Sequence, residues 1–326
     1  MILVTGASGF LGGAIAHALV TRGDRVRALV RPTSDTAALR DVGVELVQGD
    51  VLATDTLPDA MHGCSSVIHC AGVLGRAGAD LATFTKVHAG GVGNVLAAAR
   101  AASVARVVHL SSPGLLGPID GAPADEDAPL NPTNVYERAK AAAEEVVHDF
   151  ERRHGPYVIM VRPEFVYGPG DHHVLRLFQA IERGRFFFIG DGRALCHPTF
   201  VADAVDGTLA ALDRAPLGRT FHLAGPRPVT IAELVRTMAR AIGVRPPWLH
   251  VPELLVRTGI HVLRPVARRV GRAMPIDESG VDFFTFNRQF STLRAKNELG
   301  FLPRVDIDVG ITRAVAWYRE RRLLRR

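Results

Sequence analysis

The chain has 326 residues, of which 47% are hydrophobic and 22% are charged, and its formal net charge is +6. This composition is typical of a water-soluble globular protein with one large domain or two modest ones. The basic residues form no run interleaved with aromatic residues, so nucleic-acid binding is not expected. The three cysteines have no CxxC spacing, which argues against a disulfide framework and against a metal site, and favours a reducing cytoplasm.

An apolar run begins at Ile2, which leaves no room for a cleavable signal peptide before it. No apolar run approaches the roughly 18 residues that a membrane-spanning helix needs. We therefore expect a cytoplasmic protein without stable insertion into a membrane.

The first half of the chain alternates short β-branched runs with alanine-rich helical stretches. Strands are predicted at 2–4, 26–30, 44–48, 67–69, 107–110 and 158–161, and helices at 9–21, 93–102 and 136–153. Runs that are almost continuously apolar are typical of strands covered on both faces of a parallel sheet. The alternation predicts a doubly wound α/β fold.

The pattern loosens after residue 165, where clusters of glycine and proline predict loops at 167–173 and 189–199. A helix is predicted at 201–212, a strand at 221–223, and a further helix after Thr230, whose spacing to Glu233 indicates a capping box. Residues 245–275 are apolar and rich in arginine. They are either a mobile lid over an apolar substrate, which we prefer, or a surface in peripheral contact with a membrane.

Three glycines spaced three apart, Gly6, Gly9 and Gly12, lie between the first strand and the first helix. Glycine permits the tight turn, lets the backbone approach a diphosphate and lets the helix pack closely on the sheet. A diphosphate at this place meets the N-terminus of the helix. The alternative is a role in helix packing alone, but the position after the first strand favours a dinucleotide site. We expect residues 1–165 to form a dinucleotide-binding Rossmann domain to which 201–224 return, and 166–200 and 225–326 to form a smaller substrate-binding region.

The segment TGASGFLG (5–12) resembles the signature of the extended short-chain dehydrogenase/reductase superfamily. The resemblance continues through GDV (49–51), VIHCAG (67–72), GGVGNVLAAAR (90–100), HLSSPGLLG (109–117), VRPEFVYGPGD (161–171) and TLRAKNELGFLP (292–303). The pattern is similar to the 3β-hydroxysteroid dehydrogenase and dihydroflavonol reductase branches. It implies a homodimer formed through the helices around 93–102 and 138–153.

The resemblance implies a nicotinamide dinucleotide cofactor. The residues expected to contact it are Gly6, Ser8, Gly9, Phe10, Leu11, Gly12, Arg31, Asp50, Val51, Cys70, Ala71, Gly72, Ser111, Tyr136, Lys140 and Pro163. The acid that NAD-selective members usually carry after the second strand is missing. Arg31 stands there instead, either as a clamp for a 2′-phosphate or as a solvated surface arginine. We prefer NADP, with NAD as the alternative.

Tyr136 and Lys140 are four residues apart, which places both on one face of a helix. An adjacent ammonium, together with an oxidised nicotinamide, favours the phenolate and so lowers the pKa of the tyrosine. The resemblance implies that Ser112 completes the catalytic set, with Ser111 as its structural neighbour. His88 occupies a position where the family often has asparagine. It is either a proton relay through water or a hydrogen-bonded core histidine, which we prefer.

Two markers of nucleotide-sugar substrates are replaced, an asparagine by Phe165 and an arginine by Cys196, which removes partners for a substrate diphosphate. We expect a largely apolar small-molecule substrate near Leu115, Glu164, Phe165 and Cys196, with Glu164 facing either the substrate or solvent. The sequence predicts an oxidoreductase that moves a hydride between nicotinamide and a secondary alcohol or ketone. The alternative is a nucleotide-sugar epimerase or dehydratase that recycles tightly bound NAD.

Overall fold

The computed structural model describes residues 1–74, 80–269, 276 and 278–325. The strands are β1 (Ile2–Thr5), β2 (Val26–Val30), β3 (Glu45–Gln48), β4 (Ser66–His69), β5 (Arg106–Leu110), β6 (Val158–Pro163), β7 (Val166–Tyr167), β8 (Phe188–Ile189), β9 (Leu195–Cys196), β10 (Thr199–Phe200), β11 (Thr220–Leu223), β12 (Val229–Thr230) and β13 (His250–Val251). The α-helices are α1 (Phe10–Thr21), α2 (Ala37–Asp41), α3 (Leu57–Met61), α4 (Leu81–Thr85), α5 (Gly91–Ala101), α6 (Val135–His154), α7 (Leu175–Glu182), α8 (Val201–Arg214), α9 (Ile231–Ile242), α10 (Glu253–Arg269), α11 (Glu278–Thr285), α12 (Leu293–Leu299) and α13 (Ile307–Glu320).

Seven parallel strands form the large sheet, in the order β3-β2-β1-β4-β5-β6-β11. The chain builds outward from β1 to β3 on one side and from β4 to β11 on the other. The order therefore reverses between β1 and β4, and ligands of such sheets bind at the carboxyl ends of the strands that flank the reversal. Three two-stranded sheets, β7 with β10, β9 with β12 and β8 with β13, lie outside the large one.

Side chains of the central strands alternate between two apolar clusters. Leu3 and Val107 pack in the cluster that contains residues of α3, α5 and α6, whereas Val4 and Val108 pack in the cluster that contains residues of α1 and α8. Both faces of the sheet are therefore covered by helices, which confirms the doubly wound α/β fold. The predicted burial fails at β3, where Glu45 and Gln48 are exposed because this strand is at the edge of the sheet.

The helix ends follow local sequence signals. Asn134 caps α6 by accepting a hydrogen bond from the Glu137 backbone N–H at 3.0 Å. Thr230 caps α9 in the same way, accepting from the Glu233 N–H at 3.0 Å, as predicted. The Glu233 carboxylate pairs with Arg227.

Helix α10 forms residues 253–269 of the predicted lid segment 245–275. Its residues Val256 and Ile260 pack on Ile189 and Val281, while Leu254 and Leu255 remain exposed. Residues 270–275 of the predicted segment lie outside the described residues. Among the described helices, none has the length and hydrophobicity needed to cross a bilayer.

Candidate active site

The loops that follow β1 and β4 touch each other at the carboxyl edge of the sheet. Gly6 has a φ of +71°, and a Cβ atom there would lie 2.7 Å from the Ala71 backbone nitrogen. A Cβ atom on Gly12 would lie 2.3 Å from the Gly6 carbonyl oxygen. Because both distances are far below van der Waals contact, only glycine allows the two loops and α1 to approach this closely.

The N-terminus of α1 is open to a ligand. Gly9 is its N-cap residue and supplies no side-chain acceptor for the first backbone N–H groups of the helix. Ser8 and Gly9 are exposed, and Phe10 and Leu11 begin the helix beside them. Uncapped N–H groups at the positive end of a helix bind phosphate, so this loop fits the diphosphate of a dinucleotide.

The residues expected around the adenosine are at the ends of β2 and β3. One carboxylate oxygen of Asp50 accepts from the Leu52 N–H at 2.9 Å. Val51 is buried, and its carbonyl oxygen accepts from the Asn94 side-chain amide at 2.9 Å. Arg31 is exposed, and its guanidinium has no ion pair within the described chain, so it is available to an anion. Asn94 was not predicted as a site residue, although it belongs to the quoted segment 90–100.

The Tyr136–Lys140 helix is bonded directly to the end of β5. Lys140 Nζ donates to the Leu110 carbonyl oxygen at 2.7 Å, and burial lowers the pKa of this lysine to about 8. Ser112 lies two residues beyond Leu110, and its Oγ accepts from the Gly114 N–H at 3.3 Å. The hydroxyl of Ser111 is buried without a hydrogen-bond partner in the described chain. Of the three predicted catalytic residues, Tyr136 and Lys140 thus belong to α6 and Ser112 follows β5, and the bond to the Leu110 carbonyl joins these two elements.

Burial raises the pKa of Tyr136, and the negative charges of Glu164 and Glu137 raise it further. The ammonium of Lys140 donates to Leu110 and has no hydrogen bond to the phenol. In the chain by itself, therefore, the expected lowering of the pKa does not occur. At neutral pH the Tyr136 phenol is protonated and can donate a proton.

His88 packs against Tyr136, the predicted catalytic tyrosine. Its ring meets the Tyr136 ring edge-on with centroids 5.6 Å apart, and its Nε2 lies 3.0 Å from the Val73 carbonyl oxygen. Burial, followed by the charge of Lys140, lowers the pKa of His88 to about 4, so the ring is neutral at pH 7. A Cβ atom on Gly72 would lie 2.7 Å from this ring. These contacts agree with the preferred interpretation of a hydrogen-bonded core histidine.

The remaining predicted site residues differ in burial, since some are partly exposed and others lie in the protein core. Cys70 and Ala71 follow β4 and are half-buried, and Pro163 ends β6 beside β11. Leu115 is fully buried with Leu116 and Phe290. Cys196 is also fully buried, and its Sγ lies 3.6 Å from the Val229 carbonyl oxygen. Leu115 and Cys196 therefore face protein rather than open space.

Phe165 adopts a conformation that is uncommon for a bulky side chain. Its φ is +33°, and its ring lies 4.9 Å from the ring of Phe283, centroid to centroid. Strained residues of this kind persist where the surrounding structure holds them, and functional sites are frequent locations. The preceding residue, Glu164, is buried rather than solvent-facing.

One buried ion pair beside the site was not predicted. Arg288 Nη2 donates to Glu137 Oε1 at 2.7 Å, and Glu137 Oε2 accepts from the Thr133 N–H at 2.8 Å. Glu137 directly follows Tyr136, whereas Arg288 comes from the C-terminal region. The two residues are 151 positions apart, and no local pattern indicates such a contact.

Comparisons with known proteins give the same architecture. The model of the NAD dependent epimerase/dehydratase family matches residues 2–239. The chain is 32% identical over 323 residues to the 4-hydroxy-2-methyl-3-oxo-4-farnesyl-3,4-dihydroquinoline-1-oxide ketoreductase of Stigmatella aurantiaca, covering 94% of this chain and 93% of the relative. It is 31% identical over 333 residues to sterol demethylase protein B of Methylococcus capsulatus, covering 99% of each chain.

Among solved structures, the dTDP-glucose 4,6-dehydratase DesIV of Streptomyces venezuelae with NAD and TYD bound has a TM-score of 0.81 at 25% identity. The match covers 98% of this chain and 97% of that one. With this fold and the family match, the chain belongs to the NAD dependent epimerase/dehydratase family of the extended short-chain dehydrogenase/reductase superfamily and is an NAD(P)-dependent oxidoreductase.

Proposed function

We propose that the protein transfers a hydride between a nicotinamide dinucleotide, preferably NADP, and a secondary alcohol or ketone of a largely apolar small molecule. Ser112, Tyr136 and Lys140 are its catalytic residues. The observation that carries the proposal is the 2.7 Å bond from Lys140 Nζ to the Leu110 carbonyl, because it joins the tyrosine helix to the strand end that bears the serine. The name of one relative, a ketoreductase, supports the same reaction class.

The glycine loop and the N-terminus of α1 would hold the cofactor diphosphate, and Arg31 would hold a 2′-phosphate. When bound, the nicotinamide supplies or accepts the hydride. Lys140 would also bond the nicotinamide ribose. The glycine loop follows β1 and Arg31 follows β2, so both lie at the carboxyl edge of the large sheet. This edge is where the fold binds dinucleotides.

In the direction of reduction, Ser112 donates a hydrogen bond to the carbonyl oxygen and Tyr136 gives that oxygen its proton. Because burial raises the pKa of Tyr136, the protonated phenol predominates at neutral pH, and this is the form that ketone reduction needs. Lys140, whose pKa is about 8, carries a positive charge at pH 7. Its charge favours the phenolate that proton transfer leaves behind.

The test is a Tyr136→Phe variant assayed for NADPH consumption on a panel of apolar ketones. We expect turnover to fall by at least about a hundredfold, the usual contribution of a general acid, while NADPH binding is unchanged. Tyr157→Phe is the matched control, because the Tyr157 hydroxyl donates to the Val104 carbonyl at 2.7 Å, and Val104 belongs to the core away from the site. Turnover retained in Tyr136→Phe, with normal cofactor binding, refutes the assignment.

The alternative function is a nucleotide-sugar epimerase or dehydratase, which the likeness to DesIV favours. Phe165 and Cys196 argue against it, since neither side chain provides a charged partner for a diphosphate. Purified protein that releases stoichiometric NAD on denaturation, and that consumes no NADPH with any ketone, would support the alternative. The homodimer through α5 and α6 stays a prediction, which light scattering of the purified protein checks.

A further inference from the structure

Glu164 is a buried carboxyl group without a partner. Only 5% of the residue is exposed, and within the described chain its carboxyl oxygens have no hydrogen bond or ion pair. The other buried carboxylates of the described residues all have one or more, namely Glu126, Glu137, Glu144, Asp171, Asp203 and Asp282. Burying an unpaired acid is costly, so this exception calls for a chemical explanation.

Glu164 directly follows β6 and is held at the carboxyl edge of the large sheet. The Glu164 backbone N–H donates to the Leu223 carbonyl at 3.0 Å, which anchors the residue to β11. Its negative charge contributes to the raised pKa values of the Tyr136 phenol and the Cys196 thiol. Both ring nitrogens of His109 are fully buried without a partner in the described chain, whereas the Glu164 oxygens are not completely buried. The carboxyl group therefore reaches open space at the edge of the sheet where β5 and β6 end.

The surrounding groups favour the neutral form of this acid. Arg288 is the cation whose charge acts on it, but its Nη2 is already bonded to Glu137 at 2.7 Å. The pKa of Glu164 is raised to about 7, chiefly by burial; the charge of Arg288 opposes this shift, and the smaller effect of the Glu137 charge adds to it. The other titratable neighbours, Tyr136 and Cys196, are uncharged at pH 7. A neutral carboxyl group has an O–H that can donate a hydrogen bond.

We propose that Glu164 donates a hydrogen bond to a second oxygen acceptor of the substrate, so that the site selects ketones with another carbonyl close to the reacting one, such as β-diketones and β-keto esters. In this proposal the phenol donates to the reacting oxygen and the carboxyl group donates to the second oxygen. The inference rests on the proposed function, because Tyr136 is taken to bind the reacting oxygen. A cationic substrate would need the ionised acid, which burial and the charge of Glu137 both disfavour.

The aromatic side chains around this acid are apolar. Phe165, which follows it, packs on Phe283, and Phe283 packs on Phe284 with ring centroids 5.1 Å apart. Glu164 is thus a polar donor within an apolar wall, an arrangement that fixes the orientation of a largely apolar ligand.

The experiment compares nonane-2,4-dione with 4-nonanone, which has the same carbon chain and one oxygen fewer. For the wild type with NADPH, we expect kcat/KM for the diketone to exceed that for the monoketone by about tenfold, the effect of one well-placed hydrogen bond. Glu164→Gln keeps a donor and should keep most of this preference, whereas Glu164→Leu should lose it. The preference of the wild type should fall as the pH rises through about 7, while that of Glu164→Gln stays constant. Glu320→Gln, at the exposed end of α13, is the control for loss of a charge.

A second measurement separates this inference from the proposed reaction. Binding of both probes to the NADPH-loaded Tyr136→Phe variant, with and without Glu164→Leu, is followed by the fluorescence of NADPH. Tighter binding of the diketone that depends on Glu164, when the wild type reduces neither probe, supports the second contact and overturns the proposed reduction. Equal preference for the diketone in the wild type and Glu164→Leu, in both binding and turnover, overturns the contact. Loss of the preference in Glu164→Gln as complete as in Glu164→Leu also overturns it, because the amide retains a donor.

Discussion

The buried carboxyl group of Glu164 should make the stability of the protein depend on pH in a specific direction. Burial raises its pKa from 4.5 to about 7 in the folded chain. Below pH 4.5 the acid is protonated in both states and costs nothing through ionisation. As the pH rises from 4.5 to 7, the unfolded chain ionises and the folded chain does not, so the free energy of unfolding falls. A difference of about 2.5 pK units corresponds to about 3 kcal/mol, all of it lost above pH 7.

Glu164→Leu removes this titration while keeping a side chain of similar size. The free energy of unfolding of the variant, minus that of the wild type, should therefore be about 3 kcal/mol larger at pH 8 than at pH 4. Urea unfolding at a series of pH values measures both quantities, and Glu320→Gln, an exposed acid, should give a nearly constant difference. A difference between Glu164→Leu and the wild type that is the same at pH 4 and pH 8 would show that the acid is solvated or paired, and would remove the basis for its role as a donor.

Three further predictions concern other parts of the chain. Gly12→Ala should weaken NADPH binding by at least about tenfold, because its Cβ atom would lie 2.3 Å from a backbone oxygen of the glycine loop. Gly90→Ala is the control and should bind NADPH normally, since a Cβ atom at Gly90 would have no atom within 4 Å. Fluorescence titration with NADPH compares the two variants. Arg31→Ala should raise the KM for NADPH by roughly 10- to 100-fold, the effect of losing one charged hydrogen bond, and should change the KM for NADH little. An equal rise in both KM values would refute selection of the 2′-phosphate by Arg31. In the wild type the Arg162 guanidinium lies 2.6 Å from the fully buried Glu144 carboxylate. Arg162→Met leaves this carboxylate without its partner and should therefore lower the free energy of unfolding by about 3–5 kcal/mol. A loss below about 1 kcal/mol in urea unfolding would contradict this.

Local patterns in the sequence predict the large sheet well. Strand β2 has the predicted bounds, and β1, β4, β5 and β11 differ from prediction by one residue at an end. This success follows from period and composition, since a strand covered on both faces is apolar at nearly every position. The same logic misjudged β3, because a strand at the edge of the sheet exposes polar residues that the surrounding apolar positions do not reveal.

The contacts that α6, the helix bearing Tyr136 and Lys140, makes with distant segments could not be predicted in this way. The bond from Lys140 to the Leu110 carbonyl joins residues 30 positions apart, and the pair of Glu137 and Arg288 joins residues 151 apart. Such contacts depend on the path of the chain through the whole fold. For Glu164, the sequence left open whether the side chain faces the substrate or solvent, and burial decides against solvent. Nothing in the sequence around Phe165 indicates its positive φ, since the position is occupied by a bulky residue and not by glycine.

Arg288 joins the C-terminal region to the segments that carry Tyr136 and Ser112. It binds Glu137, the residue after Tyr136, and its Nη1 lies 3.5 Å from the carbonyl oxygen of Gly114, whose N–H bonds to Ser112. The negative charge of Glu137 raises the pKa of Tyr136 and of Glu164, whereas the charge of Arg288 lowers that of Glu164. The C-terminal region therefore supplies a cation that opposes the raised pKa of Glu164, the acid whose proton the proposed hydrogen bond to the substrate requires.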